Sequence, residues 1–554
     1  MKRSFTLLFL LLAFSFSFPQ NTVGLLSYDP SLSLDGYNLM FPHNQPTVFL
    51  LNSCGEIVHS WTDDSNFRPG NIAYILEDGK LVKAKRDAVV TDDAIWAGGG
   101  GETVEIRDWD NTLLWTYTLN DSLNRLHHDI APMPNGNILM VAWELKTREE
   151  AIAAGRDTTK LSQDKLWPDY IIEVDPSTDQ IVWEWHAWDH LIQDYDSTKS
   201  NFGVIADNPG KINLNYDTSE GHPDWMHSNS IDYHVERDQI LLSVPTFHEI
   251  WIIDHTTTTA QAASNNGGLS GKGGQLLYRW GNPAAYDLGT ESDQKLFYQH
   301  DAHWIDDFVD IMVPNFGDIA VFNNRVGSDF STVNVIEPSW NMYGWSYLKN
   351  NGVFVPSDFD LTWTHPDTTR LFSTGLSSVQ FLNNGNALIT SGRFGYSFEL
   401  TTSNEVVWEY ITPFRGGQAV PQGDSLTINQ NLTFRMKRYP ADYAAFTDRE
   451  LSPQGWIEQN PDSAYCDQFV LSNANLDKPS LFKAYPNPSS SNLSIEWEGL
   501  IYADIEIYNQ LGQEILDFPQ CSGGRKYLDT SNWENGLYVI SINRNTHQKI
   551  LVQH

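Results

Sequence analysis

The segments PNGNILMVAWE (134–144) and YIIEVDPSTDQIVWEW (170–185) decide the fold of this 554-residue chain. Both contain short runs rich in apolar, β-branched and aromatic residues, which are typical of β-strands. The turns PNGN and DPSTD separate these runs, because Gly, Pro, Asn and Asp favour tight turns. The second segment closes on a strand that carries Trp183. Together they predict one small antiparallel sheet.

The same pattern of strand, turn and Trp-bearing strand recurs in six units. They cover residues 47–61, 77–117, 134–185, 237–281, 317–347 and 383–410, with the markers Trp61, Trp115, Trp183, Trp280, Trp345 and Trp408. The spacing of the markers fits four-stranded sheets of about 40–50 residues with inserted loops. The chain is therefore predicted to be all-β, with a six-bladed β-propeller. A stack of β-sandwiches, the alternative, would not need one repeated phrase. The short first unit predicts a blade that another part of the chain completes.

The two ends of the chain differ from the repeats. Residues 1–20 join a basic start to a short apolar run, which indicates a signal peptide cleaved near residues 18–21. We assign the propeller to residues 21–415 and expect residues 416–480 to form an irregular extension. Residues 481–554 alternate in short strands around the turns NQLGQ and NWENG, which predicts a small β-sandwich.

This last module resembles the C-terminal sorting domain of type IX secretion substrates. YPNP opens the module, NQLGQ makes a turn, and GLYVISI precedes a terminal basic strand. The resemblance implies that type IX machinery of a Bacteroidetes-type bacterium carries the protein across the outer membrane, for secretion or surface attachment. An unrelated carbohydrate-binding or Ig-like module is the alternative.

Composition limits the other partners. The formal net charge of −35 repels phosphate backbones, so nucleic acid is not expected as a partner. The first apolar run is too short for a membrane span, and no second one follows. Three cysteines without a CxxC pair make disulfides optional and a Cys-based zinc or haem site unexpected. The sequence leaves the oligomeric state open, a homodimer included.

Polar clusters lie near the first strands of successive predicted blades. They are LHHDIAPMPNGN (126–137), DWMHSNSIDYH (224–234), YQHDAHWIDD (298–307), FNNRVGS (322–328) and ITSGRFGYSFE (389–399). Because the innermost strands of a propeller line its channel, we expect His128, His227, His300 and Arg325 to share one pocket. Neighbouring strand residues point oppositely, so His128 rather than His127 should face the channel.

The other residues of these clusters have two readings. His127, His234, His248 and His303 are expected to have structural roles. Asp129 either orients a histidine or opens the following turn. Asn229 and Asn324 either orient neighbours or contact a ligand, and both can equally bond turn backbone.

This set of residues suits sulfuryl transfer. The arginine fork binds tetrahedral oxyanions, and imidazole can act as nucleophile, general acid or metal ligand. Two other classes remain open. One is a non-transferring propeller that binds or hydrolyses a sulfated or other anionic ligand. The other is a metal enzyme that uses His128, His227, His300 and an acid.

Residues 45–415 resemble the bacterial arylsulfate sulfotransferase family in HHDIAPMPNGNIL, WMHSNSIDY, the QH of YQHDAHW, and FNNR. The resemblance implies a six-bladed propeller that moves a sulfuryl group from a phenolic sulfate to a phenol through a sulfated histidine. It also implies that no nucleotide donor and no cofactor are needed. By motif, His227 and His300 match family active-site histidines, and Arg325 matches the sulfate-binding arginine.

The last repeat departs from the family. The family's sulfated histidine lies in the last blade, where this chain reads LITSGRFGYSFEL and Arg393 lies nearest. We expect Arg393 to add a second anion contact. The sulfuryl group would then be carried by His300, His227 or His128, or transferred directly, or this branch has a different activity.

Overall fold

The computed structural model describes residues 21–89, 94–469, 482–497, 502–509, 514–542 and 546–554. The predicted signal peptide lies outside these residues. The chain divides into two compact units, residues 1–469 and 470–554. Each unit is built on its own antiparallel sheets.

The first unit is a propeller, as predicted. Its blades are numbered 1 to 6 in the order of the sequence repeats, and their innermost strands contact one another around a central channel. Blade 1 contains Met436–Pro440, Gly36–Met40, Thr47–Leu51 and Ile57–Thr62; blade 2 contains Phe67–Ile75, Leu81–Asp87, Thr103–Arg107 and Leu113–Thr118; blade 3 contains Asn124–Pro132, Ile138–Glu144, Asp169–Asp175 and Gln180–His186. Blade 4 contains Ser230–His234, Gln239–Val244, Glu249–Asp254 and Tyr278–Trp280; blade 5 contains His300–Trp304, Ile319–Asn323, Thr332–Ile336 and Leu361–Trp363; blade 6 contains Ser378–Phe381, Ala387–Ser391, Tyr396–Leu400, Val406–Ile411 and Gly24–Tyr28.

Both ends of this unit close the ring. Gly24–Tyr28 pairs with the outer strand of blade 6, and Met436–Pro440 pairs with Gly36–Met40 to give blade 1 its innermost strand. A disulfide between Cys54 and Cys466 links residues 412 positions apart. The first repeat is therefore completed elsewhere, as expected. The interval 416–480, expected to be irregular, instead contains a channel-lining strand. This strand was not predicted from the sequence, because MKRYP ends in proline and lies between loops.

The tryptophan markers lie on outer strands in five blades and join neighbouring blades. Trp115 of blade 2 donates its indole N–H to Asp179 of blade 3 (2.6 Å), and Trp408 of blade 6 donates to the Ser53 carbonyl of blade 1 (2.8 Å). Trp345 is the exception: it lies in a turn with a φ of 43°. Leu361–Trp363 is the outer strand of blade 5, so Trp363 holds that place. Short hairpins inserted before this strand have the same local sequence pattern as the repeat, so Trp345 was wrongly predicted as the marker.

Arg435 bridges opposite walls of the channel. Its Nη2 bonds the carboxylates of Asp129 in blade 3 (3.1 Å) and Asp301 in blade 5, and its Nη1 donates to the Tyr74 hydroxyl of blade 2 (2.5 Å). Both aspartates are buried. Asp129 therefore anchors this bridge, while its carboxylate also accepts the backbone N–H of Ile130 and Ile231.

The second unit is a β-sandwich, as predicted. One sheet contains Phe482–Tyr485, Asn492–Trp497 and Arg525–Asp529; the other contains Glu514–Ser522, Tyr502–Tyr508, Gly536–Ile542 and Thr546–Val552. Their apolar faces bury Leu493, Ile495, Ile505 and Ile540. Most of the predicted NQLGQ turn lies outside the described residues.

Helices are short in the described chain. Arg148–Ala153 and Thr259–Ala262 both lie in inserts between strands, and Thr147 caps the first through a capping box with Glu150. No described helix has the length and apolar character that crossing a bilayer requires.

Candidate active site

Two histidines from neighbouring blades meet at one mouth of the channel. The rings of His128 and His227 are 4.4 Å apart between centroids, in an edge-to-face arrangement. Both residues adopt left-handed backbone, with φ values of 54° and 58°. Such conformations are uncommon outside glycine and concentrate at functional sites. In blade 3 the conformation belongs to a bulge, where residues 127–129 face a single position of the next strand.

His127 has the structural surroundings expected for it. Its ring stacks on Trp143, with centroids 3.8 Å apart, and is buried. Its Nδ1 lies 2.8 Å from Nδ1 of His128, so one ring donates to the other. Burial among neighbouring imidazoles holds the pKa of His128 well below its ordinary value. His128 is therefore a neutral imidazole.

Asp224 and His227 form a hydrogen-bonded pair. The Asp224 carboxylate bonds Nδ1 of His227 and also accepts the indole N–H of Trp143 (3.0 Å). Burial alone would lower the pKa of His227, but the Asp224 carboxylate outweighs it, and the pKa is raised above 6.5. Because Asp224 holds Nδ1, the opposite nitrogen, Nε2, is left for chemistry.

His300 is held at both nitrogens. The Leu376 backbone N–H donates to its Nε2 (3.1 Å), so Nε2 is the unprotonated nitrogen. Its Nδ1–H therefore donates to Asn324 Oδ1 (2.8 Å). Asn324 is fixed in turn by donating to the carbonyls of Ser373 and Leu376 (3.0 Å each). Burial lowers the pKa of His300 to about 3.

An open cavity of about 650 Å³ lies over this cluster. Its walls come from the loops of several blades and are lined by Trp96, Ala97, Gly98, Thr218, Ser219, His222, Asp224, His227, Thr246, His248, Tyr298 and Arg325. The Arg325 guanidinium lies 3.7 Å from the centre of the Tyr298 ring, and its Nε donates to the Thr374 carbonyl (2.8 Å). These contacts fix the arginine fork at the cavity wall.

His248, expected to have a structural role, also lines this cavity. Its Nδ1 accepts the Tyr298 backbone N–H (3.1 Å), and burial lowers its pKa to about 4. His234 and His303 lie elsewhere. His234 packs against Trp304, and the Nδ1 of His303 bonds the Asp301 carbonyl (2.9 Å).

The remaining predicted residues separate into two groups. Asn229 is fully buried and donates to the Gln299 carbonyl (2.8 Å), so it joins blade 4 to the start of blade 5. Arg393 lies at the mouth: a Cβ built on Gly375 would be 3.4 Å from Arg393 Nη2 and 3.8 Å from His300 Cε1. The structure thus brings His128, His227, His300, Arg325, Arg393 and Asn324 to one end of the channel, while Asn229 contacts backbone.

Sequence reasoning missed Asp224, His222, Trp96, Arg86 and His43. Asp224 stands three residues before His227 in DWMH, which is a readable spacing for an orienting carboxylate. Arg86 is the penultimate residue of the second strand of blade 2, and Arg325 and Arg393 follow the second strands of blades 5 and 6. A comparison of these strand ends would have drawn attention to Arg86, which is one residue out of register with the other two. His43 follows an early strand, and only the closed ring brings it to the mouth.

Fold and site define a propeller with an imidazole- and guanidinium-lined mouth. The family model described as arylsulfotransferase (ASST) matches residues 111–420, more than half of the chain, and a secretion system C-terminal sorting domain matches residues 483–553. The chain therefore belongs to the arylsulfotransferase family and carries a type IX sorting domain. That domain indicates export to the cell surface or the medium.

Solved structures give more distant similarities. A protein of unknown function from Bacteroides caccae is 11% identical, with a TM-score of 0.37, over 68% of this chain and 94% of that one. Virginiamycin B lyase from Staphylococcus aureus is 9% identical, with a TM-score of 0.31, over 72% of this chain and 95% of that one. The search of curated proteins returned no match.

A metal enzyme, the remaining alternative from the sequence, requires a group of metal-binding side chains. Among the described residues, no three or more His, Cys, Asp or Glu side chains are grouped so that they could hold a metal ion.

Proposed function

We propose that this protein transfers a sulfuryl group from a phenolic sulfate ester to a phenol, without a nucleotide donor. The observation that supports this most directly is the Asp224–His227 pair in the same cavity wall as Arg325. An anion-binding fork and an oriented imidazole beside it are the two groups that such a transfer needs.

In the proposed first step, the lone pair of His227 Nε2 attacks the sulfur atom. An N–S bond forms while the S–O bond to the aryl ring breaks, and its electron pair leaves with the phenolate oxygen. The imidazole ring gains positive charge, which the Asp224 carboxylate stabilises through Nδ1–H. Arg325 holds the sulfate oxygens as their charge redistributes.

In the second step, the oxygen of an acceptor phenol attacks the same sulfur. The N–S electron pair returns to Nε2, and the proton that the acceptor loses balances the one that the departing phenolate gains. His227 replaces the missing last-blade histidine in this scheme. His300 is less suited to carry the group, because the Leu376 N–H already uses its Nε2 lone pair.

The other residues have supporting roles. Neutral His128 packs edge-to-face on the His227 ring and limits its rotation. Asn324 fixes the tautomer of His300. We assign Arg393 to anion binding and Asn229 to holding blades 4 and 5 together. A homodimer stays a prediction, which light scattering of the purified protein checks.

The test is release of nitrophenol from para-nitrophenyl sulfate by the full chain, with and without added phenol. We expect release that depends on phenol, with equal formation of phenyl sulfate. His227→Ala should abolish it, whereas His234→Ala, outside the cavity, should retain it. Release without an acceptor would indicate a hydrolase. No release with any phenol, or activity unchanged in His227→Ala, would refute the proposal.

A further inference from the structure

Three guanidinium groups stand near the ends of the second strands of their blades. Arg86 lies near the end of the second strand of blade 2, and Arg325 and Arg393 lie just after the second strands of blades 5 and 6. Only Arg325 lies beside the Asp224–His227 pair in the cavity wall. In this ring, blades 6, 1 and 2 are consecutive, so Arg393 and Arg86 flank blade 1 on its two sides.

His43 fills the gap between these two arginines. It lies on the loop between the strands Gly36–Met40 and Thr47–Leu51 of blade 1, and its N–H donates to the Leu432 carbonyl (2.9 Å). Leu432 belongs to the segment 429–432, which also contacts Arg393: the Arg393 carbonyl accepts the Asn429 N–H (2.7 Å). Burial lowers the pKa of His43 to about 4, and the guanidiniums of Arg86 and Arg393 add to this effect. His43 is therefore neutral and close to both.

Several donors in this arc have no partner among the residues that the structure describes. Within the described part of the chain, no carboxylate oxygen lies within 4.0 Å of the Arg86 or Arg393 side-chain nitrogens. Arg393 Nε is buried without a hydrogen bond to any described residue. Among the described residues, the His43 and Asn71 side chains have no hydrogen-bond partner here beyond each other. Unpaired buried donors cost free energy, so a group that satisfies them is expected. In a chain with a net charge of −35, guanidiniums without a carboxylate partner among the described residues are notable.

This arc opens on the same mouth as the imidazoles. The Arg86 guanidinium lies 5.8 Å from the ring centre of Trp96, which lines the cavity. On the other side, Arg393 flanks Gly375 together with His300. Trp96 therefore adjoins both the Arg86 guanidinium and the cavity that His227 and Arg325 line.

We propose that Arg86, Arg393 and His43 form a second anion-binding subsite, and that the sulfate donor is an aromatic dianion. Its aryl ring carries a carboxylate or a second sulfate besides the sulfuryl group that is transferred. This inference rests on the proposed transfer at His227 for the assignment of the first sulfate. The subsite itself requires only binding.

The experiment measures equilibrium binding to the full chain of two ligands of similar size, para-nitrophenyl sulfate and para-carboxyphenyl sulfate. We expect the dianion to bind about 10- to 100-fold more tightly, as charge-assisted hydrogen bonds to one added carboxylate would give. In Arg86→Gln and Arg393→Gln this preference should fall about tenfold or more. Arg86→Lys should keep part of it, because the charge remains.

Arg148→Gln is the matched control, since Arg148 is half-exposed, paired with Asp164 and located on an insert helix. Equal affinity of the two ligands in the native protein, or an unchanged preference in folded Arg86→Gln and Arg393→Gln variants, overturns the subsite. Dianion preference without transfer to any phenol would instead refute the proposed function and leave the subsite standing. Thermal unfolding of each variant verifies its fold.

Discussion

The carboxylate of Asp224 bonds Nδ1 of His227, and both residues line the open cavity. The pair comes from one short stretch, DWMH, ahead of the first strand of blade 4. Because Asp224 holds Nδ1, Nε2 is the nitrogen that the proposed transfer uses. A histidine that carries a sulfuryl group needs an exposed nitrogen lone pair. It also needs an anionic partner that stabilises the positive charge formed on the ring.

The pair predicts a specific pH dependence. In the proposed transfer, His227 attacks only when Nε2 is unprotonated, and Asp224 raises the pKa of His227 above 6.5. kcat/KM should therefore rise with pH through a value above 6.5 and then level off. In Asp224→Asn, burial is no longer outweighed, so the pKa falls and the rise should move below 6.5, with a lower plateau. The pH–rate profile of nitrophenol release measures both. An acid limb at the same pH in both proteins would contradict the role of Asp224.

Gly99 predicts a sharp steric effect on the site. Its φ is +88°, and a Cβ there would lie 2.0 Å from Nε2 of His128. Gly99→Ala should displace His128, and with it His227, and lower kcat/KM by about tenfold to a hundredfold. Gly98→Ala is the control, because a Cβ at Gly98 meets nothing within 4 Å. Similar rates in the two variants would show that His128 does not support His227.

Arg435→Met predicts a loss of stability. The change leaves the buried carboxylates of Asp129 and Asp301 without their cation, which should lower the free energy of unfolding by about 3–5 kcal/mol. Asp129→Asn in the same chain should restore part of the loss. Denaturant unfolding measures it, with Arg148→Met, at a half-exposed ion pair, as the comparison. A loss no larger than in Arg148→Met would disprove the bridge.

His255 predicts a loss of stability at alkaline pH. It donates to Asp238 (2.6 Å) and to Glu173 of blade 3 (3.0 Å); burial opposes its charge, but these carboxylates raise its pKa to about 9. A raised pKa contributes stability that is complete below the unfolded value near 6.5 and is lost as pH rises through about 9. The loss amounts to at most about 3 kcal/mol. Melting temperature against pH checks this, and His255→Gln should flatten the decline between pH 7 and 9.

The propeller could be predicted from the repeats, because each blade carries a tryptophan on an outer strand and has its own turns. The repeats also drew attention to His128, His227 and His300, because these residues lie near the starts of innermost strands, which line the channel. Trp345 misled because a long insert in blade 5 reproduced the local pattern of a blade strand. Local pattern cannot separate an inserted hairpin from a blade strand.

Other parts of the site depend on ring closure. Met436–Pro440 is too short and too polar to be recognised without its partner Gly36–Met40. His43 was overlooked for the same reason, because its neighbours in space come from the far end of the unit. His248 reaches the cavity through a turn with positive φ, which no periodicity marks.

The late arrival of one strand has a consequence for biogenesis. Blade 1 lacks its innermost strand until Arg438, 400 residues after Asn38, has been synthesised and can hydrogen-bond Asn38. Until then Gly36–Met40 presents an open edge, and His43 has no neighbour at Leu432. A nascent or truncated polypeptide that ends before residue 436 is thus expected to have no complete mouth, so activity should emerge only once the whole propeller has been synthesised.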